Sequence, residues 1–129
     1  MFKLQLCQHP TKRSQHPTLI ADWLDLIAQN KAASVHRMID MTRDLRQHGR
    51  KSRYVKHLGG PIYELKTRTP QGGARVYFFR TNTESFVLVR AEVKRENNAD
   101  TTILDDVAEI IHAFAIGNLT LIPPLEEQP

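Results

Sequence analysis

After Arg95 the chain contains no lysine or arginine, and in its whole length it has a single cysteine. A lone Cys7 excludes an internal disulfide, and its place in an alternating apolar segment reads as a buried structural thiol rather than a nucleophile. No apolar run approaches the ~18 residues of a membrane span. The first hydrophobic stretch is interrupted by Lys3, Gln5 and Gln8, where a signal peptide would carry its apolar region, so cytoplasm is the expected location. The six histidines show neither a His-x-x-x-His pair nor Cys–His spacing, so no metal is expected. There is no phosphate-cradling glycine loop and no Gly-x-Ser-x-Gly elbow; Gly59-Gly60 and Gly72-Gly73 read as turn residues beside strands, and no cofactor is implied.

What is present is charge, unevenly placed. Residues 1–95 hold all 18 Lys and Arg against seven acids, a balance of +11, whereas residues 96–129 hold seven acids and no Lys or Arg, a balance of −7. A basic body of this kind favours a polyanion such as nucleic acid, although a solvated surface explains scattered cations equally well. With 129 residues, 40% of them hydrophobic, the chain is an ordinary one-domain protein, long enough to bury about two-thirds of its unfolded surface.

The period of two over Pro61–Arg68, with Ile62, Glu64, Lys66 and Arg68 against Tyr63, Leu65 and Thr67, predicts a half-buried strand. Thr-Pro-Gln-Gly-Gly turns the chain into a second strand over Ala74–Arg80, and Thr81–Ser85 leads to a third over Phe86–Lys94, which makes a meander. Upstream, Phe2, Leu4 and Leu6 alternate as a first strand. Leu19, Ile20, Trp23, Leu24 and Ile27 then recur at helical spacing after Pro17, and Val35, Met38, Ile39 and Leu45 do the same over Ala32–Gln47. The short link between these helices predicts an antiparallel hairpin. Arg46–His57 reads as an exposed basic connection. Downstream, Ile103, Leu104, Val107, Ile110, Ile111 and Phe114 stripe a helix over Thr101–Ala115, capped by Asp100 or Thr102. The expected class is α+β: a small antiparallel sheet, made of the N-terminal strand plus the three-strand meander, packed against an N-terminal helical hairpin and a C-terminal helix. The domain is expected over residues 1–117, with a tail at 118–129.

Cations on strands are the chemically informative feature, because charged side chains in mid-sheet must face water or a ligand. Lys66 and Arg68 share a face of one strand, Arg75 opens the next, and Arg90, Lys94 and Arg95 sit on the third. Lys and Arg with few carboxylates nearby suit a phosphodiester, whose transition state gathers charge on oxygen. A lysine among cations has its ammonium form disfavoured, so Lys66 can serve as a base without histidine.

Tyr63-Glu64-Leu65-Lys66-Thr67-Arg68, then Gly73-Ala74-Arg75-Val76-Tyr77, then Val87-Leu88-Val89 running to Val93-Lys94-Arg95-Glu96, resembles the RelE and HigB toxins of bacterial toxin–antitoxin modules. Lys56-x-Leu58 before Tyr63-Glu64-Leu65-Lys66 is similar to the HigB-like, phage-derived branch. The resemblance spans residues 54 to 96. It implies a small α/β fold and an endoribonuclease that cuts messenger RNA, commonly on the ribosome, and is inhibited by a cognate antitoxin. It also implies Lys66 as general base, Arg75 as the phosphate-stabilising arginine and Arg95 as general acid, with Arg68 and Lys94 as supporting cations; Arg90, from the cations of the third strand, and Tyr63, as a ring for base stacking, complete the expected substrate-binding residues. A ParE-like toxin acting on gyrase shares the fold, and an inert RNA- or protein-binding module is the alternative from another class. Arg50, Lys51 and Arg53, in the densest basic stretch, are the expected antitoxin contacts. Two departures bear on the site. Thr101 stands where RelE has a tyrosine, and strict alternation puts Arg95 on the core face with Val87, Val89, Ala91 and Val93, so that either the strand ends before it or Lys94 takes its role.

Overall fold

The computed structural model describes residues 1–12, 14–95 and 100–123. Its elements are β1 (Lys3–Cys7), α1 (Thr18–Ala28), α2 (Ala32–His48), a 3-10 turn at Gly49–Lys51, β2 (Val55–Gly59), β3 (Ile62–Thr69), β4 (Gly72–Asn82), β5 (Ser85–Lys94), α3 (Thr101–Ala115) and β6 (Leu121–Ile122). Six strands form one mixed sheet in the order β2-β3-β4-β5-β1-β6.

The sheet is larger than the sequence predicts, and it is not wholly antiparallel. β1 runs parallel to β5, with Leu4 opposite Phe86, and β6 adds an antiparallel pair, Leu6 with Ile122. The second addition lies in the stretch expected to be an exposed connection. Val55 pairs with Leu65 and Lys56 with Glu64, so Val55–Gly59 is an edge strand. Edge strands carry charge on purpose, since one side of the ladder faces water, and a cationic segment with only Val55 and Leu58 as apolar anchors lacks the alternation that marks a central strand.

Helices cover both faces. Ala74, Val76 and Phe78 of β4 enter a core with Leu19 and Leu26 of α1 and Val35, Met38, Met41 and Leu45 of α2. Tyr77 and Phe79, pointing the other way, pack with Val107 and Ile110 of α3. Burying each of these large apolar side chains stabilises by about 1.5–3 kcal/mol, which outweighs the weak capping of the hairpin helices. α3 is capped: the Asp100 carboxylate accepts the N–H groups of Thr102 and Ile103, as the sequence allowed. A register shift beside Tyr77 and Phe78 breaks the alternation of β5, so Val87 and Val89 face α3 while Leu88 and Ala91 face the hairpin.

Candidate functional site

At the β3–β4 turn the three central strands present two rows of side chains. One row runs Arg68, Gly73, Lys94; the next runs Lys66, Arg75, Glu92. Gly73 has no side chain to fill the middle of its row, so Arg68 and Lys94 flank a gap rather than a filled surface. That gap is a cavity of about 370 Å³ walled by Lys66, Arg68, Lys94 and Arg95, with Thr69, Pro70 and Gly72-Gly73 at its base. Gly72, at φ +133, is obligatory there: a Cβ would lie 2.9 Å from the Lys94 carbonyl oxygen. β5 ends at Lys94, which releases Arg95 from the core face and turns it to solvent. Among the described residues, no acid lines the cavity. A neighbouring cavity of about 430 Å³ shares Pro70, Lys94 and Arg95 and extends the basic surface to Lys31 in the α1–α2 link.

Arg75 is not half-exposed, as an outer-face strand residue would be, but 2% exposed, and its Nη1 lies 3.8 Å from Oε2 of Glu64, itself 1% exposed. Cations in mid-sheet are expected to face water or a ligand, but Arg75 is buried beside Glu92, its cross-strand partner, and Tyr77, two residues along β4. The Tyr77 hydroxyl donates to Glu92 Oε2 at 2.5 Å, and the same oxygen accepts the Asp100 N–H at 3.1 Å, which ties the cluster to the first turn of α3. Burial, reinforced by donation to Glu92, pushes the Tyr77 phenol well above its ordinary range. Burial likewise raises the Glu64 carboxyl, against the pull of Arg75, Lys66 and Lys56. Arg75 is therefore buried next to Lys66 in the sheet and is not among the residues that line the groove.

Two other expected residues are elsewhere. Arg90 binds Asp22 through Nε at 2.6 Å and Nη2 at 3.1 Å, and Asp106 through Nη1 at 2.8 Å, locking α1, β5 and α3 together. Tyr63 is on the hairpin face, with its ring stacked 4.7 Å from His57 and 5.5 Å from Phe78. Among the antitoxin-contact candidates, Arg53 stacks 4.8 Å from the Tyr54 ring centre and donates to its hydroxyl, while Arg50 and Lys51 line a separate cavity with Arg80.

Spacing in sequence could not reveal a cluster whose members are 97 residues apart: His9 Nε2 to Asp106 Oδ1 is 2.7 Å, with Glu109 nearby. His9 Nδ1 accepts the N–H groups of Thr11 and Lys12, so Nε2 carries the hydrogen and donates it to Asp106. Arg90 occupies the other Asp106 oxygen. His9 and Asp106 are thus engaged in protein hydrogen bonds that fasten the N-terminal loop to α3.

Residues 22–111 match the sequence family described as Phage derived protein Gp49-like (DUF891). The chain belongs to this family. The Gp49-like match runs from α1 into α3 and includes every cation of the groove, while β1 and β6 lie outside it. It places the protein in a phage-derived family of the RelE toxin-like kind. No curated protein matches the chain. None of the described helices is long and apolar enough to cross a membrane.

Proposed function

We propose that this Gp49-like protein is the toxin of a type II toxin–antitoxin module, an endoribonuclease of the RelE/HigB kind that cleaves messenger RNA, on the ribosome, and stops translation. The observation that carries the reading is the convergence of Lys66, Arg68, Lys94 and Arg95 on one open groove with no acid among the described residues of its lining. Four cations around a gap left by glycine suit a sugar–phosphate backbone and offer nothing to an apolar ligand. In the reaction a ribose 2′-oxygen, losing its proton to Lys66, bonds to the adjacent phosphorus. The bond from phosphorus to the 5′-oxygen breaks, and that oxygen takes a proton from Arg95, leaving a 2′,3′-cyclic phosphate and a 5′-hydroxyl. Arg68 and Lys94 hold the flanking phosphates, and the buried Arg75 stabilises the negative charge from below. This chemistry needs no metal and cannot act on DNA, which lacks the nucleophile. The partner is a cognate antitoxin, and the place of action is the cytoplasm.

The test is induced expression with incorporation of labelled amino acid and labelled thymidine followed together. Translation should stop first, and Lys66→Arg, which keeps the charge but not an accessible neutral amine, should bind RNA while cleaving it poorly. Replication stopping first would replace the nuclease reading with a gyrase-directed one, and growth without arrest would leave a binding module.

A further inference from the structure

A second basic cavity, of about 500 Å³, lies at the far end of the sheet. Along β4, Arg80 is about 23 Å from Gly73 at the usual rise of a strand, and it pairs with Phe86 on the hairpin face, opposite the groove. Arg50 and Lys51, from the 3-10 turn, converge on the same space, and among the described residues no acid lines it. Its floor is aromatic. The Phe2 and Phe86 rings lie 5.7 Å apart, and Phe86 is packed edge-on to Phe78 at 5.4 Å, so the floor is continuous with the core. It is also held in place: the Phe2 N–H donates to the Arg46 carbonyl at 2.8 Å, and the Phe2 ring occupies the space that a Cβ on Gly49 would need, at 2.5 Å. Gly49 has φ +60, so the absence of a side chain there allows both the turn and the seating of the ring.

The two basic surfaces differ in what they leave to be covered. The groove has glycine, threonine and proline between its cations, and a phosphate backbone satisfies it. The far cavity has three permanent cations around the partly exposed ring of Phe2, which rests on the fully buried Phe86, and a phosphate backbone would leave that ring wet. An apolar side chain flanked by carboxylates satisfies both parts at once, with the anchor on the Phe2 ring and the acids on Arg50, Lys51 and Arg80. We propose that this cavity docks an acidic, apolar-anchored segment of a partner protein, and that it does so while the groove stays open. The inference does not rest on the nuclease reading, because none of its residues belongs to the groove.

The experiment is a titration of the isotope-labelled full chain, followed by backbone amide shifts, with a short synthetic peptide carrying one phenylalanine between glutamates. Shifts should cluster at Phe2, Phe86, Lys51 and Arg80. Affinity should fall at least about tenfold for Lys51→Glu/Arg80→Glu and for a peptide with serine in place of phenylalanine. Both substitutions are at exposed positions, and dispersion of the amide spectrum checks that the variant is folded. A single-stranded oligoribonucleotide should still bind the peptide-loaded protein. The proposal is overturned if no binding is detected, if the shifts lie elsewhere, if the serine peptide binds equally well, or if the oligoribonucleotide displaces the peptide and needs the same three cations. In the last case RNA is the occupant. Loss of ribonuclease activity in groove variants with this binding intact would concern the nuclease alone.

Discussion

Arg75 Nη1 stands 3.8 Å from Glu64 Oε2, and the two side chains are 2% and 1% exposed. Two charges this far from water are costly to bury, and their mutual attraction offsets part of the desolvation of each. The residue that a sequence reading would choose for removal as chemically important but structurally harmless is therefore part of the core.

Arg75→Ala should destabilise the protein by about 3–5 kcal/mol, most of it from stranding Glu64 in a buried site. Replacing both, as Glu64→Gln/Arg75→Met, should recover much of that loss. Urea unfolding of the two variants measures the difference; an Arg75→Ala midpoint equal to wild type would show that Glu64 is compensated by other groups.

Arg68 and Arg95 are exposed on the groove wall, so Arg68→Ala and Arg95→Ala should unfold like wild type. If each neutralises a phosphate, the slope of log affinity against log salt for single-stranded RNA should flatten by about 0.7 per residue removed. Fluorescence anisotropy at several salt concentrations reads this directly, and an unchanged slope would take the residue out of the RNA contact.

Burial alone would raise the Asp106 carboxyl, but hydrogen bonds from His9 and Arg90 outweigh it and hold the group below its ordinary value of 3.8. A carboxyl depressed by folding contributes stability above its unfolded pKa and loses it as pH falls through the folded one. Asp22, on the same arginine, is raised chiefly by burial and runs the opposite way. The informative quantity is thus the difference between wild type and Asp106→Asn. The variant should be less stable at neutral pH, and the gap should close below about pH 4. Thermal melts across that range test it, and a gap independent of pH would mean that the carboxylate's charge is not what the site uses.

Cys7 is fully buried, and burial raises its thiol above the ordinary value despite contact with the Thr18 hydroxyl. A thiol-specific chromogenic disulfide should react with native protein no faster than the protein opens, and with one equivalent at once in denaturant. Fast labelling of the native state would contradict this placement.

The helical hairpin, the meander and the capped third helix were legible because each carries its own period. Leu19–Ile27 and Ile103–Phe114 repeat at helical spacing, and Ile62–Arg68 alternates. β2 and β6 were not, since a cationic edge strand and a two-residue strand have too few apolar positions to show a period. The groove was half legible. Lys66, Arg68, Lys94 and Arg95 could be named from strand position, and they do meet. The burial of Arg75 belongs to a cluster with Glu64 and Glu92 on neighbouring strands, and the loss of Arg90 to Asp22 and Asp106 depends on partners 68 and 16 residues away. Local pattern holds no information about such partners. The far cavity escaped for the same reason, because Phe2, Arg50 and Arg80 come from three separate elements.

The parallel pairing of β1 with β5 sets an order in time. Lys3 emerges from the ribosome early, but its partner Ser85 emerges only after the hairpin, the edge strand and most of the meander. Until then the first strand has one unpaired edge on each side and an apolar face with no sheet to rest on. β6 then closes the other side of β1 with Leu121 and Ile122, nearly the last described residues. Contacts this distant in sequence form slowly, since the loop between them must be closed before they contribute anything. The groove, whose lining comes from β3, the β3–β4 turn and the end of β5, needs none of these late contacts, whereas the place of β1 in the sheet waits on β5 and β6.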